Sequence, residues 1–350
     1  MTPDARAETV REAIRARREI VNDALDTYLP MADPERLYSA SRYLLEAGGK
    51  RLRPTVLLLV AEALTDTEPL AKPYDAFPAY RDGEEPVDVL AAAISVEVIQ
   101  SFTLIHDDIM DQDEMRRGSP SVHVAFDEET AILAGDTLYS KAFEIMLQTG
   151  APAERAVEAM DVLASTCTRI CEGQSLDVSF EDRTDVATEE YLDMVDRKTA
   201  VLYAAAAAIP TILLGAEAET VDAAYEYGRV IGQAFQIQDD ILDLTVPSET
   251  LGKQRGSDLV EGKQTIITLH AREQGVDVDG LLEAADPEAV TEAEIDEAVA
   301  ELEAAGSIEY ARTLAQDLVE EGKTHLETLP KNEARHRLEQ VADFLVERGY

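Results

Sequence analysis

The chain has 350 residues, with 71 acidic and 31 basic side chains, a formal net charge of -40 and 45% apolar residues. That balance excludes a nucleic-acid binder, which needs a basic surface, and an anionic membrane would repel it. Trp is absent and aromatics are only 5%, so a core of this size rests mainly on Ala, Leu, Ile and Val.

Met1 to Leu25 is charged, helix-patterned and without the apolar core of a signal peptide. Gly48-Gly49-Lys50-Arg51-Leu52-Arg53-Pro54 is a basic, glycine-led segment that starts a new helix. Its spacing matches neither the nucleotide phosphate loop nor the dinucleotide fingerprint. Thr65–Pro86, with four Pro and Gly83, reads as a surface insertion. Val87–Asp111 is a long helix candidate, apolar in the middle and acidic at its end. Ala131–Leu147, Glu154–Phe180, Thr188–Leu214, Val221–Leu244 and Thr291–Glu321 follow the same three-and-four spacing. Thr188 is placed as a helix cap with Glu in the first turn. Cys167 and Cys171 lie on one side of a helix, as small buried side chains. No stretch reaches a clean membrane-spanning length, which points to the cytoplasm. These elements predict an all-α chain forming one domain over 1–350.

Two motifs of the form Asp-Asp-x-x-Asp stand 132 positions apart: Asp107, Asp108 and Asp111, then Asp239, Asp240 and Asp243. In each, the first and last Asp stack on one helix face. They repel one another, and the dipole disfavours anions at a helix C-terminus. A hard divalent cation compensates. Mg²⁺ takes one or two carboxylates, several waters and substrate phosphates. The opposite charge is placed to match. Lys is scarce, 8 residues against 23 Arg, yet Lys50, Lys198, Lys253 and Lys263 fall in glycine- or motif-linked segments, and Arg116-Arg117-Gly118 follows the first acidic motif. Arg gives forked contacts to phosphate and Lys gives point charge. Heavy acid with suppressed Lys also points to a halophile's molar cytoplasmic salt, where short-range screening tolerates self-repulsion.

Taken together these residues resemble the trans-isoprenyl diphosphate synthases. The resemblance runs from Gly48 to Thr268 and includes Gly135-Asp136, Gly173-Gln174-x-x-Asp177, Lys198-Thr199, Phe235-Gln236 before the second Asp motif, and Gly252 to Lys263. It implies an antiparallel helical bundle around a deep central cavity, in a homodimer. It implies that Asp107, Asp111 and Asp239 ligate Mg²⁺, three ions in all, with Asp108, Asp240 and Asp243 in support. Arg116, Lys198, Lys253 and Lys263 would hold an allylic diphosphate. Lys50, Arg53, Gln100 and Arg117 would hold isopentenyl diphosphate. Thr199 and Gln236 would lie beside the reacting carbons, with Gln174 and Asp177 supporting the site.

The helix before Asp107 reads as a ruler, at about 5–6 Å per turn, on the order of one isoprene unit. Phe102 stands five back and the small Thr103 four back. That pattern resembles the archaeal geranylgeranyl type, so a C20 product is expected, with C15 or C25 as alternatives. A class I terpene cyclase would share the first motif but needs no second diphosphate site. An inactive partner subunit would be expected to lose one motif. His106 is expected to be packed or solvated rather than a ligand.

Overall fold

A computed structural model describes residues 3–81, 83–180, 183, 185–248, 255–282 and 290–347. It is all-α as expected. The helices are α1 (Pro3–Tyr28), α2 (Glu35–Glu46), α3 (Leu52–Leu64), α4 (Val89–Met110), α5 (Val122–Ala125), α6 (Glu128–Met146), α7 (Ala153–Phe180), α8 (Thr188–Val195), α9 (Val201–Leu214) and α10 (Ala218–Thr245), followed by shorter helices to Val346. The one sheet among the described residues is a two-residue-per-strand hairpin, β1 (Met115–Arg116) with β2 (Ser119–Pro120).

The chain divides into two compact units. The first comprises residues 1–167, 202–228 and 325–341, and the second 168–201, 229–324 and 342–350. In the first, α4 packs along α6 and against α3. Its apolar residues from Val89 to Ile99 are almost all buried. Asp88 caps α4, accepting from the Ala91 N–H at 2.8 Å and from the Tyr28 hydroxyl at 2.6 Å; this satisfies a donor that the helix start leaves open. In the second unit, Tyr191, Val195, Ile237, Ile241, Ile267 and Leu302 form the centre of a continuous apolar cluster.

Several expectations change. The single helix expected over Thr291–Glu321 is two, Glu292–Ala304 and Ser307–His325. Gly306 breaks it at φ 75°, a conformation that glycine adopts without strain. Thr188 is not the cap of α8: the Glu190 carboxylate accepts from the Ala187 N–H at 3.0 Å, and the Thr188 hydroxyl reaches Glu273. Cys167 is buried but Cys171 is exposed, because a spacing of four drifts off a narrow buried stripe. Two helices do have the length and apolar content of a membrane span, Val89–Met110 and Thr188–Leu214, and 78% and 83% of those windows are buried within the protein.

The insertion is more than surface. Phe77 is fully buried and bridges Val87, while Tyr74 is buried and donates to Glu62 at 2.6 Å. Glu62 also accepts from the Leu70 N–H at 2.8 Å and pairs with Arg17 of α1.

Candidate active site

The first unit carries the first acidic motif. Asp107 and Asp111 sit one turn apart at the C-terminal end of α4, half-buried and exposed respectively, with the Asp111 N–H bonded to the Asp107 carbonyl at 2.8 Å. Asp108 lies on the other side of the helix and is fully buried. One of its oxygens accepts from Arg116 Nε at 2.6 Å, and the other is buried with no hydrogen-bond partner. Burial holds its pKa above the usual carboxylate value, and the Arg116 charge opposes that. Arg116 also reaches Asp113 at 2.7 Å.

A tight turn delivers Arg117. Arg117 and Gly118 have φ of 54° and 76°, the pair of positive values that a two-residue hairpin turn needs. The Arg117 guanidinium donates to the Gly48 carbonyl and lies on Gly49, where a Cβ would meet Nη1 at 2.7 Å. Burial lowers the Arg117 pKa; Glu97 opposes this, and Arg51, Arg116 and Arg53 lower it further. These arginines act on one another electrostatically, and two of them, Arg51 and Arg116, are already paired with Glu97 and Asp108. Arg53 stands in the first turn of α3, where helix N–H groups favour negative charge. Its guanidinium lies 4.2 Å over the Tyr203 ring and its Nε is buried without a hydrogen-bond partner. Lys50 is exposed and Gln100 half-buried.

Sequence reasoning missed Arg51 and Glu97. Arg51 is buried at φ 52° and donates to Glu97 at 2.6 Å and to Asn22 at 3.0 Å. The available signal was Glu97, a lone carboxylate inside an apolar helix.

Phe102 packs edge-on against Tyr139 of α6, ring centroids 5.3 Å apart, and against His106 at 5.0 Å. His106 lies on Gly135, which has no room for a Cβ there. Thr103 is half-buried and bonds back to the Gln100 carbonyl at 2.9 Å.

The second unit carries a cavity of about 100 Å³ lined by Asp177, Lys198, Thr199, Gln236, Asp240 and Lys263, among others. Lys198 Nζ pairs with Asp177 at 2.5 Å. The Thr199 hydroxyl donates to Gln236 at 2.9 Å, and the Gln236 amide donates to Asp240 at 3.1 Å. Asp240 also accepts from Tyr191, a third residue that sequence reasoning missed. Burial raises the Asp240 pKa most, and Asp258 raises it further, against the donors Tyr191 and Gln236. Asp243 accepts from the Ser257 hydroxyl at 2.8 Å and the Asp258 N–H at 3.1 Å. Asp239 is half-buried on α10. Lys263 reaches Glu261 at 3.0 Å. Gln174 is buried, with both amide atoms lacking hydrogen-bond partners. Lys253 lies outside the described residues.

The donor set fits a hard cation that keeps waters and phosphate oxygens. The carboxylates are all-oxygen ligands, and among the described residues no three His, Cys, Asp or Glu side chains gather into a cage of their own.

Comparison with known proteins agrees. The family model described as polyprenyl synthetase matches residues 34–302. The chain is 68% identical, over 98% of its length and 99% of the other's, to a geranylfarnesyl diphosphate synthase of Natronomonas pharaonis. It is 49% identical, over 98% and 99%, to a geranylgeranyl diphosphate synthase of Methanosarcina mazei. A solved geranylgeranyl pyrophosphate synthetase from Geoglobus acetivorans superposes with a TM-score of 0.83 at 42% identity, covering 96% of this chain and 99% of that one. Both acidic motifs, the arginine cluster and the Lys198–Asp177 cavity fall in a chain matched almost end to end, so it has the isoprenoid synthase fold, is a prenyltransferase, and belongs to the polyprenyl synthetase family.

Proposed function

We propose that the chain condenses isopentenyl diphosphate with C5, C10 or C15 allylic diphosphates. The observation that carries this is the burial of each acidic motif: Asp108, Asp240 and Asp243 are buried, whereas Asp107 and Asp239 are half-buried and Asp111 is exposed. Those three would hold Mg²⁺, three ions by resemblance, which supplies charge neutralisation to a departing diphosphate. Lys198, Lys263 and Lys253 would bind the allylic diphosphate. Arg116 would join them by exchanging its contact with Asp113 for phosphate. Lys50, Arg53, Gln100 and Arg117 would bind isopentenyl diphosphate, whose charge relieves the arginine cluster. Thr199 and Gln236, already bonded to each other, would orient the reacting carbons, with Gln174 and Asp177 in support. Water is kept out because it would quench the allylic cation, and the proton lost on condensation passes to the released diphosphate.

Thr103, four residues before Asp107, supports a stop at C20. The 68% identical relative named for a C25 product supports one further condensation. We weigh C25 more heavily, because that relative is matched over 98% of this chain, whereas the C20 expectation rests on the residues just before Asp107. Incubation with isopentenyl diphosphate, each primer and Mg²⁺, followed by product chromatography, tests both parts. A C25 or C20 alcohol after phosphatase treatment is the expected result. Cyclised hydrocarbon, or turnover only with an added subunit, sinks the reading. Thr103→Phe is expected to shorten the product toward C15 and Phe102→Ala to lengthen it; unchanged products in both would end the ruler idea.

The chain is proposed to act as a cytoplasmic homodimer of a halophilic archaeon. Ile132, Leu133 and Tyr139 expose apolar surface on α6, 56% for Leu133, and a second copy would cover it. At charge -40, activity is expected to rise from dilute buffer toward molar KCl. An optimum at low salt in a KCl titration would refute this.

A further inference from the structure

Between α8 and α9 the helix is not α. Asp196–Ala200 form a π turn, closed by the Val201 N–H bonding to the Asp196 carbonyl. Such turns carry one residue more than the α ladder and recur at functional sites. This one holds Lys198 and Thr199, the two residues it presents to the cavity.

An isolated π turn relaxes to α unless something holds it. Two glycines make room for it: a Cβ on Gly173 of α7 would meet Lys198 Cα at 2.7 Å, and one on Gly232 of α10 would meet Ala200 Cα at 2.6 Å. The first residue of the turn supplies the attachment. The Asp196 carboxylate, whose side chain is 14% exposed, accepts from Arg169 of α7 at 2.5 Å and from Arg229 of α10 at 3.3 Å. The Gln233 amide adds a third donor at 3.2 Å. Two arginines of a chain with net charge -40 converge on this one acid.

We propose that Asp196 is a positioning residue: it clamps the turn to α7 and α10 and so aims Lys198 and Thr199 at the allylic substrate. This rests on the roles given to those two residues above. The same residue supplies both the clamped carboxylate and the carbonyl that closes the π ring, so releasing the side chain frees the ring. Slipping to α register rotates later side chains by about 100° per residue. That would carry Lys198 away from Asp177 and Thr199 away from Gln236.

The test is a double-mutant cycle with Lys198, read per substrate. Asp196→Ala and Asp196→Asn are expected to lower kcat/KM for the allylic diphosphate about 10–100-fold, while the KM for isopentenyl diphosphate stays within about twofold. Asp196→Ala combined with Lys198→Ala is expected to lose less than the two single losses combined, the remainder acting through Thr199, and Asp196→Glu to recover part of the loss. Additive losses, or equal KM increases for both substrates, overturn the proposal. If Asp196→Ala does not fold, Asp196→Asn carries the cycle. Calorimetry with inorganic diphosphate separates the two ideas. A wild-type protein that binds it but performs no condensation refutes the prenyl-transfer reading, and the clamp then stands or falls on whether Asp196→Asn weakens that binding.

Discussion

Asp239→Ala is expected to lower kcat by about a thousandfold or more, and Asp107→Ala by a similar factor. Lost metal neutralisation is worth several kcal/mol, and each 1.36 kcal/mol is about tenfold in rate. The geometry says why these and not their neighbours. On α10, Asp240 is buried against Tyr191 and Gln236, and Asp243 against Ser257 and the Asp258 N–H. Asp239, by contrast, is half-buried on the same helix. On α4, Asp108 is buried on Arg116, whereas Asp107 is half-buried and Asp111 exposed. Steady-state rates at saturating Mg²⁺, with circular dichroism as the check on folding, decide the matter. Near-wild-type turnover in either variant removes the metal assignment.

Glu62→Ala is expected to cost about 3–5 kcal/mol, because it leaves the Arg17 charge buried and unpaired. Arg17 and Glu62 have side chains 1% and 0% exposed, so water cannot take the place of the lost partner. The same change removes the acceptor for Tyr74 and the Leu70 N–H, and so detaches the insertion from α3. In a chain of this length the loss corresponds to roughly 4–7 °C in melting temperature. Calorimetric unfolding measures it. A shift below about 2 °C would mean that solvent reaches the pair.

The helices were legible because their apolar spacing is long and regular: α4, α6, α7 and α10 fall within three residues of expectation at each end. The hairpin at Met115–Pro120 was not, since two residues per strand give no alternation to read; only Arg117-Gly118 hinted at it. The anchors Arg51 and Tyr191 were hidden for another reason. Arg51 looked like one more phosphate-facing cation, and nothing local says that its partner is Glu97, 46 residues away. The π turn was invisible because one extra residue in a helix barely disturbs apolar periodicity.

By itself the sequence determined the fold class, the acidic motifs and the family, since local spacing and residue chemistry carry all three. Which carboxylates and cations are buried against protein partners was decided by tertiary packing. Burial and partner geometry, absent from any local pattern, turned Asp108, Asp240 and Arg51 inward and gave Asp196 its two arginines.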